Sequence, residues 1–327
     1  MNQLLEKIIA HEPLTESEAS SFIHGISEDE YTTEEISGML VGIQMRGIQL
    51  SEINGFRSAL LALSLPIEID ASDAIDLCGT GGDGKNTFNI STTTAFVLSA
   101  MGIPVVKHGN YGVSSLCGSS NVLEYLGISF SEEQTTLQQQ LAKTSICFLH
   151  APLFHPTIKK VASVRKNLAT RTLFNCLGPL VNPAQPAYQL TGTFSLELAR
   201  IYQHLLKNER KEFTVAYGMD RYDEITLTDD TRLLSKSQDT VVSATTFGIP
   251  AVSNSDLFAG NSIHEAAKIM VDILNGNGTH AQQQVVAANS AVALQLYHPT
   301  VPLKELFQET HSFIAGGYAK HQLKKCL

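Results

Sequence analysis

AIDLCGTGGDGKNTFNIST, residues 74–92, decides the fold. A short apolar run from Ala74 to Cys78 meets a cluster of glycines and then enters STTTAFVLSAM, which has the length of a helix and stops at Gly102. Apolar runs this short, bounded by glycine, read as buried strands. PVVK, ending at Lys107, repeats the pattern ahead of a second glycine-containing loop, and Ser119–Leu126 with Gly127 as its stop reads as the next helix. Strand, loop, helix and strand in this order imply an α/β fold with a mostly parallel sheet covered by helices. Further strands are expected at Phe213–Tyr217 and Val241–Thr245.

Upstream of this stretch the pattern is helical only. Thr15 with Glu18, and Thr32 with Glu35, have capping-box spacing, in which hydroxyl and carboxylate reciprocally satisfy the free amides of a helix start. Ile36, Leu40 and Ile43 lie on one stripe, Gly47 is placed to end that helix, and Ser51 is placed to cap the next. Ile158–Leu180 reads as helix again. The 327 residues exceed what a single hydrophobic core supports, roughly 250 to 300. The expected division is a small all-helical domain at 1–68, joined by 160–184, and a large α/β domain at 72–159 and 185–327. No internal repeat occurs at a fixed period.

Composition excludes several classes. A formal charge of −9 without long runs leaves no extended basic surface for a nucleic-acid backbone. No stretch approaches the ~18 uninterrupted apolar residues of a membrane-spanning helix, and the N-terminal stretch lacks the apolar core of a signal peptide, so the cytoplasm is expected. Cys78, Cys117, Cys147, Cys176 and Cys326 form no CxxC pair, which fits reduced thiols and neither a disulfide framework nor structural zinc.

Four segments carry candidate chemistry. Glycines in Cys78–Thr92 let backbone amides approach an anion, and the following helix start adds free donors, so the loop suits phosphate. Gly79, Gly81 and Gly84 satisfy GxGxxG, yet no acidic residue follows at the distance a dinucleotide ribose requires; GxxxxGK is also met, but Asn86 replaces the hydroxyl residue of a nucleotide P-loop. Asp83 inside the loop would repel phosphate unless it accepts a ribose hydroxyl or meets a metal, which favours a phosphorylated sugar. The second segment, Val105–Ser120, leaves a neighbouring strand and offers Lys107 to pyrophosphate, with Asn110, Ser114, Ser115 and Ser119 as neutral partners. Third, Asp223 and Glu224 are oxygen ligands of the type magnesium takes, though Glu34–Glu35, Glu132–Glu133 and Asp229–Asp230 are equally acidic and spacing does not choose among them. Fourth, HPTIKKVASVRKNLATRTLFNCLGPLVNP offers Arg165 and Arg171 to a carboxylate and His155 to an aromatic ligand, or else is a basic amphipathic helix. No histidine pair has metal spacing, no GxSxG elbow occurs, and no nucleophile presents itself.

GTGGDG with TFNIST, KHGN with SSxCGSS, VRKNLATRTLFNCLGPLVNPA, and DEITL, in this order and at these separations, resemble the anthranilate phosphoribosyltransferase family. The resemblance implies a homodimer with a small helical and a large α/β domain, a site in the cleft between them, and the second step of tryptophan synthesis from chorismate. It implies that Gly79, Gly82, Asp83 and Thr87 hold phosphoribosyl pyrophosphate, with Asn89, Ile90, Ser91 and Thr92 at the helix start. Lys107, His108, Gly109, Asn110, Tyr111, Gly112, Val113, Ser114, Ser115 and Ser119 would close over the ribose and pyrophosphate. Ser91 with Glu224 would take one Mg²⁺ and Asp223 with Glu224 a second, while Gly79, Asn110 and Arg165 would contact anthranilate. Two positions depart from the pattern: Tyr111 stands where many relatives have Arg, and Tyr217 where many have His.

Two other readings compete. A pyrimidine nucleoside phosphorylase would share the fold, but an SGRGLGHTGG-like stretch is absent. A noncatalytic nucleic-acid-binding relative would want a basic cleft and would not need Asp223 and Glu224, and the net charge disfavours it.

Overall fold

The computed structural model describes residues 1–112, 117–207 and 212–327, and its backbone divides into two compact units, 1–67 with 151–183 and 68–150 with 184–327. The first unit opens with α1 (Asn2–Ile9), α2 (Glu16–Ser27), α3 (Thr33–Arg46) and α4 (Leu50–Ala62). The second begins with β1 (Ile75–Gly79), α5 (Ile90–Ala100), β2 (Val105–Gly109), α6 (Ser119–Tyr125), α7 (Gln134–Thr144) and β3 (Ile146–His150). The chain then returns to the helical unit for α8 (Ala151–Phe154), α9 (Pro156–Lys160), α10 (Ala162–Leu168) and α11 (Leu173–Leu177). It completes the α/β unit with β4 (Tyr188–Gly192), α12 (Leu196–Lys207), β5 (Glu212–Gly218), β6 (Thr231–Ser235) and β7 (Asp239–Val242). Four helices close it: α13 (Ile263–Leu274), α14 (His280–Gln295), α15 (Leu303–Ala315) and α16 (Lys320–Cys326).

In the helical unit both capping boxes form: Thr15 and Thr32 accept from the amides of Glu18 and Glu35, whose carboxylates accept from the two threonine amides at 2.9 Å. α3 stops at Gly47, with φ of +89°. Ser51 does not cap α4. Gln49 occupies that position, because the Glu52 side chain turns inward and accepts from Gln49 N, while Ser51 Oγ donates to the Leu14 carbonyl. The Glu52 carboxylate is fully buried and meets Arg46 Nη2 with both oxygens at 2.5 Å, and Leu14 N donates to it as well. Both oxygens of this carboxylate are thus answered by charge and by an amide. Glu52→Gln, which keeps the shape and removes the charge, is expected to cost about 2 kcal/mol in urea unfolding.

The returning segment starts at Ala151, earlier than the expected 160, because Phe154 and Ile158 are core residues and the Leu65 amide bonds the Phe154 carbonyl at 2.8 Å. Nor is 158–180 one helix. Ala169 takes a left-handed conformation that ends α10, and the side chain of Asn175 accepts from Thr172 N to open α11.

The sheet order is β3-β2-β1-β4-β5-β6-β7, parallel through β5 and antiparallel for the last two. The strand expected at 213–217 is β5. The one expected at 241–245 ends at Val242, where Thr246 Oγ1 accepts from Ser243 N and starts a 3-10 turn. Strands β3, β4 and β6 were not anticipated. From β1 the chain passes to β2 on one side and later to β4 on the other, so the crevice beyond the carboxyl ends of these strands is a switch point of the kind where α/β sheets take ligands. Helix α14 is buried on nearly every face from Gln282 to Leu294 and packs mainly against α15 and α5.

Candidate functional site

β1, β2, β4 and β5 each end on a glycine, at Gly79, Gly109, Gly192 and Gly218, and Gly79 pairs in register with Gly192. Side chains at those two positions would block the crevice. A Cβ on Gly79 would stand 2.3 Å from Asp223 Oδ2, and one on Gly192 only 1.6 Å from the Asp223 carbonyl oxygen. The missing carbons are what lets the loop after β5 lay Asp223 across the strand ends. Asp223 Oδ2 then accepts from Gly81 N at 2.6 Å, in a turn where Gly81, Gly82 and Gly84 all take positive φ.

Beside it, Glu224 Oε1 accepts from Ser91 N at 3.3 Å. Ser91 is the second residue of α5, so this is one of the helix-start donors that lack an intrahelical partner. Lys107, buried at 3% exposure on β2, donates to the Leu77 carbonyl and brings Nζ to 3.5 Å from Ser91 Oγ. Asp83 Oδ1 accepts from Lys85 N at 3.0 Å. The start of α5 is therefore the meeting point of the first glycine loop, β2 and the acidic pair.

Three carboxyls share this space, and burial is the main cause that raises each of them. Asp223 is pushed well above the usual carboxylate range by burial, then by the charges of Asp83 and Glu224, against the Gly81 hydrogen bond. Glu224 is pushed up to about 7 by burial, with Lys107 and the Ser91 hydrogen bonds opposing. Asp83 is also raised, by burial first. One buried ammonium does not balance three such groups, and a hard divalent cation would. Among the described residues no group of three or more His, Cys, Asp or Glu side chains is arranged around a metal position. Magnesium does not require one: one or two carboxylates suffice when waters and substrate phosphates supply the other oxygens. Asp223, Glu224 and the Ser91 hydroxyl fit that ion.

The remaining expected residues fall around this centre. Thr87 makes an antiparallel bridge to Phe258, and Phe88 N donates to the Leu257 carbonyl at 2.8 Å, which fastens the exit of the first loop. Asn89 Nδ2 donates to the Cys117 carbonyl at 3.2 Å and ties that loop to the second. Ile90 and Thr92 are buried in the first turn of α5, and His108 N donates to buried Asp76 at 3.1 Å. Ser119 Oγ donates to the Asn110 carbonyl, and Gly112 N to Asn121 Oδ1, so Gly109–Gly112 is folded against the start of α6. Tyr111 points its hydroxyl at Glu124, 2.7 Å away, and sets its ring edge-on to His150 with centroids 4.6 Å apart. In place of a cation it brings an aromatic anchor between α6 and the end of β3. Val113, Ser114 and Ser115 lie outside the described residues.

Arg165 belongs to the helical unit. It is buried, its guanidinium lies 5.6 Å from the Phe174 ring centroid, its Nε has no hydrogen-bond partner among the described residues, and burial lowers its pKa to about 10. A guanidinium so buried is costly unless an anion reaches it. Arg171 is exposed, and His155 is occupied by the Val181 carbonyl at 2.8 Å. Of the acidic pairs that spacing left equal, Asp223–Glu224 alone contains a buried carboxylate: Asp223 is buried and Glu224 half-buried, whereas Glu34, Glu132, Glu133 and Asp229 are exposed and Glu35 and Asp230 half-buried. Gly192 was missed. Its only signal is a glycine closing the short run YQLTG.

Comparison with known proteins shows the family and the fold. The glycosyl transferase family a/b domain matches residues 71–320, and the helical bundle domain of the same family matches residues 2–64. Anthranilate phosphoribosyltransferase of Christiangramia forsetii is 46% identical over 325 residues, covering 99% of this chain and 98% of its own. That of Flavobacterium johnsoniae is 47% identical with the same coverage. Among solved structures, anthranilate phosphoribosyltransferase from Thermus thermophilus is 30% identical with a TM-score of 0.89, over 98% of this chain and 97% of that one. The Saccharomyces cerevisiae protein, solved in complex with PRPP and Mg, shares the fold at a TM-score of 0.89 and 24% identity, over 99% of this chain and 95% of that one.

Proposed function

Since the chain belongs to the anthranilate phosphoribosyltransferase family, we infer that it transfers the 5-phosphoribosyl group of phosphoribosyl pyrophosphate to the amine of anthranilate and releases pyrophosphate, in the second step of tryptophan synthesis from chorismate. The observation that carries the reading is the Asp223–Glu224 pair, the first buried and the second half-buried, set beside the helix-start amides of α5 and the Lys107 ammonium.

Each residue then has a task. The amides of the Gly79–Thr87 loop and of α5 bind phosphate oxygens, and Lys107 holds a cation against the leaving pyrophosphate. Asn110, Gly112 and Ser119 close over the ribose from the second loop. Asp223, Glu224 and Ser91 hold Mg²⁺, with Ser91–Glu224 and Asp223–Glu224 as the two positions. When bound, magnesium neutralises charge that develops on pyrophosphate as the C1–O bond breaks. Arg165, with Nε lacking a hydrogen-bond partner among the described residues, is the group that answers the anthranilate carboxylate. The amine lone pair forms the new bond to C1 on the face opposite the leaving group, the C1–O electrons depart with pyrophosphate, and an amine proton passes to water. The outcome is inversion at C1. The amine is neutral near pH 7, so positioning supplies most of what a general base would.

We further propose a cytoplasmic homodimer. Five free cysteines, and the absence among the described residues of any helix long and apolar enough to cross a membrane, support the compartment. Ile9, Val41 and Met45, exposed on or beside α1 and α3, support a second copy against the helical unit.

The deciding experiment measures pyrophosphate release from phosphoribosyl pyrophosphate with anthranilate, against phosphorolysis of thymidine or uridine. Turnover only with the nucleosides would replace this reading by a nucleoside phosphorylase. Arg165→Ala is expected to raise the KM for anthranilate by about tenfold or more and that for phosphoribosyl pyrophosphate much less. The reverse split would move Arg165 to phosphate binding.

A further inference from the structure

We propose that Asn289, on α14, is a positioning residue for the Asp223–Glu224 pair, and through it for the magnesium-dependent part of pyrophosphate binding; this rests on the function inferred above. Asn289 is 3% exposed, and its helical neighbours from Val285 to Leu294 are otherwise valine, alanine, serine and leucine. A carboxamide buried in such company is unfavourable unless its donors and acceptor are used.

They are used on one particular residue. Ile225 N donates to Asn289 Oδ1 at 3.3 Å, and Asn289 Nδ2 donates back to the Ile225 carbonyl at 2.8 Å. The same nitrogen also donates to the Val285 carbonyl at 2.8 Å, which fixes the side chain to its own helix. The two-way pairing supplies what an adjacent strand would give, at a place where β5 has ended and residues 221–230 belong to no strand. The residue so gripped is the one immediately after Glu224. Asn289 also lines, with Ser91, Asp223 and Glu224, a small cavity of about 10 Å³.

The place of the pair in a loop outside the sheet makes the grip matter. Each carboxylate is steered by a backbone amide, Gly81 N for Asp223 and Ser91 N for Glu224. The backbone that carries them lies outside any strand, so its position is set by what bonds it. By joining the Val285 carbonyl to both polar groups of Ile225, the carboxamide ties α14 to the acidic loop at the residue next to Glu224.

The test uses the full chain with inorganic pyrophosphate as probe, and reads thermal shifts with pyrophosphate alone and with pyrophosphate plus Mg²⁺. Asn289→Leu is expected to retain the shift due to pyrophosphate alone, since the glycine loop and Lys107 are untouched. It should lose most of the further increment due to Mg²⁺, with half-saturation by Mg²⁺ raised about tenfold or more. Ser290→Ala, one residue along the same buried helix, should keep both. A purely structural role for Asn289 would lower the melting temperature in every condition and leave the Mg²⁺ increment intact, and that result in a folded variant overturns the proposal. Should Asn289→Leu not fold, Asn289→Ser is read by the same two increments. A wild-type protein that shows no Mg²⁺ increment would instead count against the magnesium site itself.

Discussion

Asp223→Asn combined with Glu224→Gln is expected to lower magnesium-dependent turnover by about a thousandfold or more and, at the same time, to make the metal-free protein more stable. The two effects have one cause. The carboxyls are held next to Asp83 in surroundings that disfavour their charge, and burial raises both. For Glu224 the folded value of about 7 exceeds the ordinary 4.5, so the folded chain holds more protons than the unfolded chain between those limits. Stability must then fall as pH rises through that window, since the slope follows the protons bound by the unfolded state minus those bound by the folded one. The neutral variant lacks this loss. Its melting temperature without divalent cation should exceed that of the wild type at pH 8 by about 5 °C, and the difference should shrink toward pH 5. With pyrophosphate bound, added Mg²⁺ should stabilise the wild type further and give the variant no further increment. Scanning calorimetry at the two pH values, with steady-state rates, checks all of this. A variant that turns over near the wild-type rate would remove both residues from the site.

Gly192→Ala, at a residue expected to touch neither substrate, should cost about a hundredfold in kcat/KM. Its added methyl would stand 1.6 Å from the carbonyl oxygen of Asp223, far inside contact distance, and the obstacle is backbone and not a flexible side-chain tip. Something must shift. Gly192 is fixed in the middle of the sheet between Gly79 and Ala216, whereas Asp223 lies in a loop, so the acidic pair moves. The signature is a weakened response to magnesium in a protein whose circular dichroism is unchanged. Wild-type kinetics from a folded Gly192→Ala protein would mean that the placement of Asp223 over the strand ends is not what the reaction uses.

The parts of the fold that were legible in the sequence are those where a period changes abruptly. β1, α5 and β2 announce themselves because apolar runs break on Cys78–Gly79 and Gly109, and the capping boxes at Thr15 and Thr32 mark their helices before any packing is known. β3, β4 and β6 gave no such sign. Each has five residues, and central β4 carries Gln189 and Thr191 buried within YQLTG, a mixture that alternation does not flag. The break of 158–180 into short helices is set by Ala169 turning left-handed, which no propensity foretells. In the site, the glycine loop and Lys107 were readable from residue type. Asp223 and Glu224 were equal to three other acidic pairs until burial separated them, and Asn289 showed only as one carboxamide in a run of small apolar residues. Motifs report on contiguous chemistry. The elements that hold those motifs in place come from far along the chain, as with Gly81 and Asp223, 142 positions apart.

The interleaving of strands has a consequence for synthesis on the ribosome. β1 emerges early, but its neighbour β4 follows only after the chain has gone back to build α8–α11, and the acidic loop and α14 come later still. A nascent chain that has reached residue 180 owns the complete glycine loop and β2 beside it, but neither β4 on the other side nor the carboxylates that answer the loop. Affinity for the sugar donor is therefore acquired in the last third of translation, and fragments released before Asn289 has emerged are expected to leave the cellular pool of that donor untouched.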